Sequence, residues 1–357
     1  MDILVCKTKY TGVSYHRVDE PARAVAEADV GVRVQVVAGL ATTMSRGAEP
    51  VVLDVDDQGA DVVVLQLPKT TELLQCMRIL QARGVAVVVE VDDLLSGVPF
   101  GNVGHGLVAA GKAKRVAECA READAVTVTT PALQAEYGGH GRAFVVPNAV
   151  PRRLAELPPA YERDPGVVEV GWAGNVGGHP YDLQEIGTGL RQALDAGRGA
   201  SRFTVLGQKW DARERLGLVE EPVEVPWIPQ VDGYIQALGE LFDIGIAPLR
   251  SDRFNAAKSW LKVLEYSARG VYAVRSATPE YERLGLGWRA RSAKDWAKGL
   301  TKGIQDADWR REQARQAREV VLDRHLTEHT VPSWVAAWER AAEHRADALR
   351  RGPVAVG

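Results

Sequence analysis

Four residues within a short span carry the clearest chemical signal in this chain: Lys258, Ser259, Lys262 and Glu265. Two ammonium groups and a hydroxyl at the start of a helix suit a diphosphate, since the free backbone N–H groups there already favour an anion. A carboxylate one turn deeper suits the two hydroxyls of a ribose. At helical spacing Lys258, Lys262 and Glu265 share one face. The same pattern also describes an ordinary solvated helix face, and its setting decides for a site. A second group, Glu90, Asp92 and Asp93 in EVDDLL, could supply a general base or bind acceptor hydroxyls. Helix capping or pairing with Arg or Lys stands beside that reading with equal weight. A third, Asp54, Asp56 and Asp57 in LDVDD, could hold Mg²⁺ or Mn²⁺ through a nucleotide diphosphate. Three carboxylates beside a strand are more often a solvated loop, so no metal site and no cofactor are expected.

The setting is a strand, a loop, a helix and a strand. Phe242 to Ala247 is a short apolar run stopped by Pro248, as in buried parallel strands. A polar, basic loop from Leu249 to Ala256 leads into a helix from about Ala257. Gly270 ends that helix, and Val271 to Val274 is the next strand. The loop therefore leaves the carboxyl end of one strand and enters a helix amino terminus, where open α/β sheets place their ligands.

Other segments repeat that unit. Asp2–Cys6, Val32–Val37, Asp61–Leu67, Val85–Val91, Ala125–Thr129 and Phe144–Val146 read as strands, and Met44–Asp57 as a loop. Helices are expected over Arg17–Ala28, Thr70–Arg83 and His105–Ala123, with another opening at Pro131. The first loop, KTKYTGVSYHR, has no GxGxxG, which disfavours a dinucleotide site. Its Gly12 reads equally as a close-approach glycine or as a turn residue. Residues 151–165 are rich in Pro and charge and fit a linker. A second half begins with a strand at Val167 and a loop crowded by Gly171, Gly174, Gly177 and Gly178. Asp182 then opens a helix to about Ala196, and lone His179 reads as a surface or capping residue as readily as a ligand. Phe203–Leu206 is a strand before Gly207, and Trp227 reads as a packed aromatic. Helices over Ala277–Leu284, Ser292–Asp323 and Val331–Leu349 close the chain.

Composition bounds the class. A chain of 357 residues, 25% charged and 46% hydrophobic, suits two ordinary globular domains. A net charge of −3 gives no reason to expect nucleic acid or an anionic membrane as partner. Cys6, Cys76 and Cys119 form no CxxC pair and read as reduced core thiols of a cytoplasmic protein. There is no apolar run of about 18 residues, so no integral membrane segment is expected, and MDILVCKTKY enters a strand with no signal peptide.

The run FN, KS, LKVLEYSARG and VYAVRSATPEY resembles the donor-binding segment of family-4-like glycosyltransferases with the GT-B fold. ADAVTVTTPAL, VVPNAV and TGVSYHR resemble further segments of that family, and VVVEVDDLL those of a subset found in surface-polysaccharide and bacteriophage gene sets. The resemblance covers nearly the whole chain in order. It implies an α/β chain of two Rossmann-like domains facing each other across a cleft, with the C-terminal helix crossing back to the first. The domains would be residues 1–155, acceptor-side; 156–328, donor-side; and 329–357, the returning helix. The implied reaction moves a sugar from a nucleotide-diphosphate sugar, UDP- or GDP-linked, to a glycan, protein or small-molecule hydroxyl, with retention and without metal. An epimerase or a non-catalytic binding protein of the same fold is the alternative.

The resemblance also assigns residues. Lys258, Glu265 and Asp93 are the catalytic candidates, with Asp92 and Asp93 on the acceptor side; the two aspartates rest on the reading of the residues and not on the resemblance. Gly12, Gly174, Asn175, Gly207, Ile228, Lys258, Ser259, Lys262 and Glu265 would bind the donor, the backbone near Trp227 and Ile228 pairing with the nucleobase. Glu265 falls on the second glutamate of the family's Glu-x7-Glu motif, while Ala257 stands where the first would be. Asn175 and His179 replace the usual Arg or Lys beside the diphosphate, and Pro151 replaces an aspartate. The implied source is an actinobacterium or one of its phages, acting in the cytoplasm, the host's where a phage encodes it.

Overall fold

The computed structural model describes residues 1–8, 12–164 and 166–351. Part of the first loop, Lys9 to Thr11, and the last linker residue, Pro165, therefore lie outside the described residues. Contacts divide the chain into two compact units. The first comprises Met1–Val98, Gly106–Asn148 and Thr327–Gly357; the second comprises Pro99–His105 and Ala149–Leu326.

The first unit is built on β1 (Asp2–Cys6), β2 (Arg33–Val37), a hairpin of β3 (Thr42–Met44) and β4 (Val52–Val55), then β5 (Val62–Gln66), β6 (Ala86–Val91), β7 (Ala125–Val128) and β8 (Ala143–Val145). Its main sheet is parallel throughout, in the order β2-β1-β5-β6-β7-β8. β5 and β6 are buried at every position, which explains their unbroken apolar runs: helices cover both faces. The C-terminal helix Val331–Arg351 lies on this unit, burying Trp334, Trp338 and Ala341 among Val62, Val64 and Val88.

Three expectations for this unit are corrected. Met44–Asp57 is a hairpin, because Val52 and Val55 bury against the Thr71–Ala82 helix, whose Gln75 accepts from the Val52 N–H at 2.9 Å. The Arg17–Ala28 helix starts earlier. Backbone from Gly12 is already helical, with a π turn over Tyr15–Asp19, so Gly12 belongs to a first turn and not to a loop. The helix expected over His105–Ala123 is two, His105–Ala109 and Lys112–Glu122, because Gly111 takes φ +73° between them.

The second unit holds β9 (Val168–Asn175), β10 (Ser201–Gln208), β11 (Val223–Val225), β12 (Ile244–Ala247), β13 (Tyr272–Ser276) and β14 (Trp288–Ala290). All are parallel, in the order β11-β10-β9-β12-β13-β14. That is the doubly wound 3-2-1-4-5-6 order, and its direction reverses between β9 and β12. A crevice opens at such a reversal beyond the carboxyl ends of the two strands. Gly171 and Gly174 lie inside β9, not in a loop after it. A Cβ on Gly171 would overlap the Phe242 ring, and one on Gly174 would sit 2.8 Å from Trp172. Glycine here makes room for aromatic rings.

Helix boundaries in this unit also move. Ser292–Asp323 divides into Ala293–Gln305 and Ala307–Arg324, because Asp306 caps the second helix by accepting from the Trp309 N–H at 3.0 Å. Asp182 opens only a 3₁₀ turn, Leu183–Ile186, and Gly187 at φ +55° separates it from the Gly189–Ala196 helix. Within the stretch expected as a linker, Arg152–Ala155 is a short helix held by Arg318, which donates to the Ala155 carbonyl at 2.8 Å.

β9 and β10 meet at a point that admits no side chain. Gly207 has φ +132°, and a Cβ there would overlap the carbonyl oxygen of Gly174. Gly207→Ala should therefore cost about 3 kcal/mol or more, roughly 5–10 °C in Tm. A thermal melt that matches the parent would show the two strand ends to be looser than this.

Candidate active site

The switch point of the second unit gathers four segments: the end of β9 with its turn, the segment after β12, the first turn of the Leu261–Ala268 helix, and the Val231–Leu241 helix. The segment after β12 is not the loop expected from Leu249 to Ala256. Asp252 accepts from the Asn255 N–H at 2.8 Å and caps a one-turn helix, Arg253–Ala256. The Lys258 N–H then donates to the Asn255 carbonyl at 3.2 Å, and the longer helix begins only at Leu261, not at Ala257. Lys258 and Ser259 thus occupy the connection, and only Lys262 and Glu265 share a helix face.

Lys262 reaches back to β9. Its Nζ donates to the carbonyl of Ala173 in β9 and lies 5.9 Å from the Trp172 ring. Burial, with Lys258 nearby, pulls its ammonium below the usual lysine value despite the opposing pull of Glu265. Lys258 Nζ stands over the Phe254 ring at 4.4 Å. Glu265 is buried, and Tyr234 donates to its Oε2 at 3.3 Å. Burial and that carboxylate push the Tyr234 hydroxyl well above its ordinary value, so it stays a donor. Two cations and a carboxylate therefore converge at the β9–β12 reversal, the arrangement that would take a diphosphate and a diol.

Around them is a polar network that sequence reasoning missed. Asp182, 4% exposed, accepts from the Arg250 N–H at 2.9 Å and the Asn255 Nδ2 at 2.7 Å, and pairs with His179 Nδ1 at 2.7 Å. His179 is thus neither a surface residue nor a cap. The only sequence cue was an aspartate three residues after a histidine. Asn175 ends β9 and turns the chain, its Oδ1 accepting from the Gly177 N–H at 2.8 Å. The Pro99–His105 segment lies on this turn: Asn102 Nδ2 donates to the Gly178 carbonyl at 2.6 Å and Tyr181 to the Phe100 carbonyl at 2.9 Å. Trp227 is not packed away but 52% exposed, its ring 5.3 Å from that of Tyr234, with Ile228 next to it.

In the first unit the candidates separate. Glu90 is structural. Its carboxylate accepts from Arg17 Nε at 2.7 Å, from Arg17 Nη2 at 3.3 Å and from Thr127, all buried. Asp92 and Asp93 follow β6 and are half-buried, at the carboxyl edge of the sheet. Lys69, after β5, faces both, and burial with Lys112 lowers its ammonium while the two aspartates raise it. Its position just after Pro68 at the end of a strand is the sequence signal that marks it. Among the described residues no heavy atom beyond its own neighbours lies within 4 Å of where a Cβ on Gly12 would sit. Asp54 pairs with Arg83 on the exposed side of the hairpin, the solvated role expected for it. Among the described residues no three His, Cys, Asp or Glu side chains are grouped to hold a metal.

No family model matches the chain, and no curated protein matches it. Solved structures do. A glycosyltransferase from Rickettsia africae superposes at a TM-score of 0.62 over 95% of this chain and 98% of its own, at 11% identity. A trehalose-6-phosphate protein from E. coli, bound with UDP-2-fluoro glucose, gives 0.59 over 96% and 99%, again at 11% identity. The fold is GT-B. A third GT-B neighbour is a mutant of S. aureus TarM in complex with Fondaparinux, alpha-GlcNAc-glycerol and UDP, at 0.58 and 12% identity. That match covers 78% of this chain, which spans 55% of the TarM chain. These neighbours are glycosyltransferases whose structures include UDP and UDP-sugar complexes.

Proposed function

We propose that this GT-B chain is a family-4-like glycosyltransferase. It moves a sugar from a nucleotide-diphosphate donor, UDP- or GDP-linked, to a glycan, protein or small-molecule hydroxyl, retaining configuration and using no metal. The observation that carries this reading is the placement of Lys262 and Glu265 one turn apart at the β9–β12 reversal, with Lys258 beside them. Lys258 and Lys262 take the diphosphate and stabilise the charge that grows on it as the sugar departs. Ser259 adds a hydroxyl to that grip. Glu265, held by Tyr234, takes the ribose hydroxyls, while Gly174, Gly207 and Asn175 form the strand-end floor. The backbone at Trp227 and Ile228, beside the exposed Trp227 side chain, suits the base. Asp93, with Asp92, takes the acceptor hydroxyl on the first unit. Three buried thiols suit a reducing cytoplasm, and the sequence resemblance supports an actinobacterial or phage source.

One observation favours the alternative of binding without turnover. Ala257, where the related motif has a sugar-binding glutamate, is 2% exposed and presents no polar group. A thermal-shift panel of UDP-, GDP-, ADP- and TDP-sugars, with and without Mg²⁺, tests the assignment. One donor at about 100 times its Kd should add about 2.7 kcal/mol to stability without metal, and slow release of its sugar should follow. Stabilisation that requires Mg²⁺ would overturn the metal-free reading, and stabilisation with no sugar release or transfer would favour the binding protein.

A further inference from the structure

We propose that His179, tethered by Asp182, is a ligand of the donor diphosphate and takes up a proton from solvent as the nucleotide sugar binds. The inference rests on the transferase reading and deepens it. Its basis is the dyad's geometry. Asp182 is 4% exposed, with Oδ1 filled by the Arg250 N–H at 2.9 Å and the Asn255 amide at 2.7 Å, which leaves Oδ2 for His179 Nδ1 at 2.7 Å. A carboxylate held this rigidly keeps the proton on Nδ1, so the neutral ring carries its lone pair on Nε2. Among the described residues Nε2 has no hydrogen-bond partner, and the side chain is 23% exposed. The Trp172 ring stands edge-on to the imidazole at 6.0 Å. The His179 N–H is already spent on the Asn175 and Val176 carbonyls, so the side chain alone can meet a ligand.

The charges that face the ring are Asp182 from its own turn, Lys258 from the connection and Lys262 from the Leu261–Ala268 helix. Glu265 stands one turn beyond Lys262. Arg250 lies over the neighbouring Tyr181 ring at 5.1 Å, and Arg215 donates to the Pro180 carbonyl. Burial and the two lysines hold the imidazole below its ordinary value of 6.5, against the pull of Asp182. The empty site is therefore neutral at His179 near pH 7. An arriving diphosphate carries two negative charges, offsets both lysines and reverses the potential at Nε2. Protonation then becomes favourable, and Nε2–H donates to a phosphate oxygen. Where an Arg or Lys would be charged at every pH, this site gains its third cation only with ligand present.

The sign follows from that difference. Between the depressed value of the free ring and the raised value of the bound one, donor affinity should rise as pH falls, by up to about tenfold per pH unit. The diphosphate of a nucleotide sugar is doubly esterified and fully ionised across this range, so the slope belongs to the protein. Calorimetric titration with UDP-glucose, and in parallel GDP-mannose, ADP-glucose and TDP-glucose, in buffers of different ionisation enthalpy near pH 7 counts the protons directly. The parent should take up about half to one proton per donor bound, and His179→Gln about none, with affinity weaker by roughly tenfold. Gln can still donate to Asp182, and circular dichroism checks the fold. Asp182→Asn should likewise suppress the uptake. Equal proton uptake in the parent and His179→Gln would overturn the dyad while leaving the transferase reading intact. Failure of all four donors to bind the parent would overturn both.

Discussion

Replacing Lys262 by Met should lower kcat by about 10²–10³, the usual loss when one preorganised donor to a developing anion is removed. Methionine keeps the length and apolar stem of the side chain, so packing against Trp172 survives while the ammonium is lost. The charge matters more here than at a surface. Lys262 donates to the Ala173 carbonyl in β9, and burial pulls its ammonium below the usual lysine value, so the charge is poorly hydrated. Glu265→Gln should act differently. The amide keeps contact with Tyr234 but loses the carboxylate's hold on a diol, so KM for the donor should rise by about tenfold with kcat changed far less. Steady-state kinetics on the donor identified by thermal shift separates the two patterns. Near-parental kcat in Lys262→Met, or loss of both parameters together in Glu265→Gln, would move the diphosphate away from this helix. Glu265→Ala, with no group left for Tyr234, should abolish transfer while circular dichroism stays unchanged.

The fold was largely legible because parallel strands buried on two faces announce themselves. VVVLQ and AVVVEV, each bounded by Pro or Gly, needed no partner to be read as strands. The returning C-terminal helix was legible from Trp334 and Trp338 at one-turn spacing. What the sequence hid depends on long-range contacts or on competing local signals. Lys258 drops off the helix face because Asp252 nucleates its own turn, a cap signal submerged in a polar run. Gly174 reads as loop until Trp172 folds over it, and Gly171 until Phe242 arrives from the other side of the sheet. Tyr234 and Glu265 are 31 residues apart, so nothing in the local pattern pairs them. Lys262 and Glu265 were found because their i, i+3 spacing is itself local. The Asp182 hub was not, because Arg250 and Asn255 both come from the segment after β12, about 70 residues away.

Glu90→Leu should destabilise the first unit by about 3–5 kcal/mol, because it strands a buried guanidinium. Arg17 and Glu90 side chains are each 1% exposed. Arg17 also donates to the Val146 carbonyl at 2.7 Å and Asn148 Oδ1 at 3.2 Å, and lies 4.6 Å from the Trp334 ring. One side chain thus joins the π turn after β1, the end of β6, the chain beyond β8 and the C-terminal helix. Arg17→Met should cost a similar amount, leaving Glu90 with Thr127 alone. The double variant Arg17→Met/Glu90→Leu is the informative member, since two apolar residues of similar volume need no charge compensation. It should recover most of the loss, for replacing both members of a buried pair is often neutral. Urea unfolding followed by far-UV circular dichroism measures all three. Additive losses in the double variant would mean that the pair acts through packing alone. A strongly subadditive loss would identify Glu90 as the ion-pair partner of Arg17 that organises this end of the sheet.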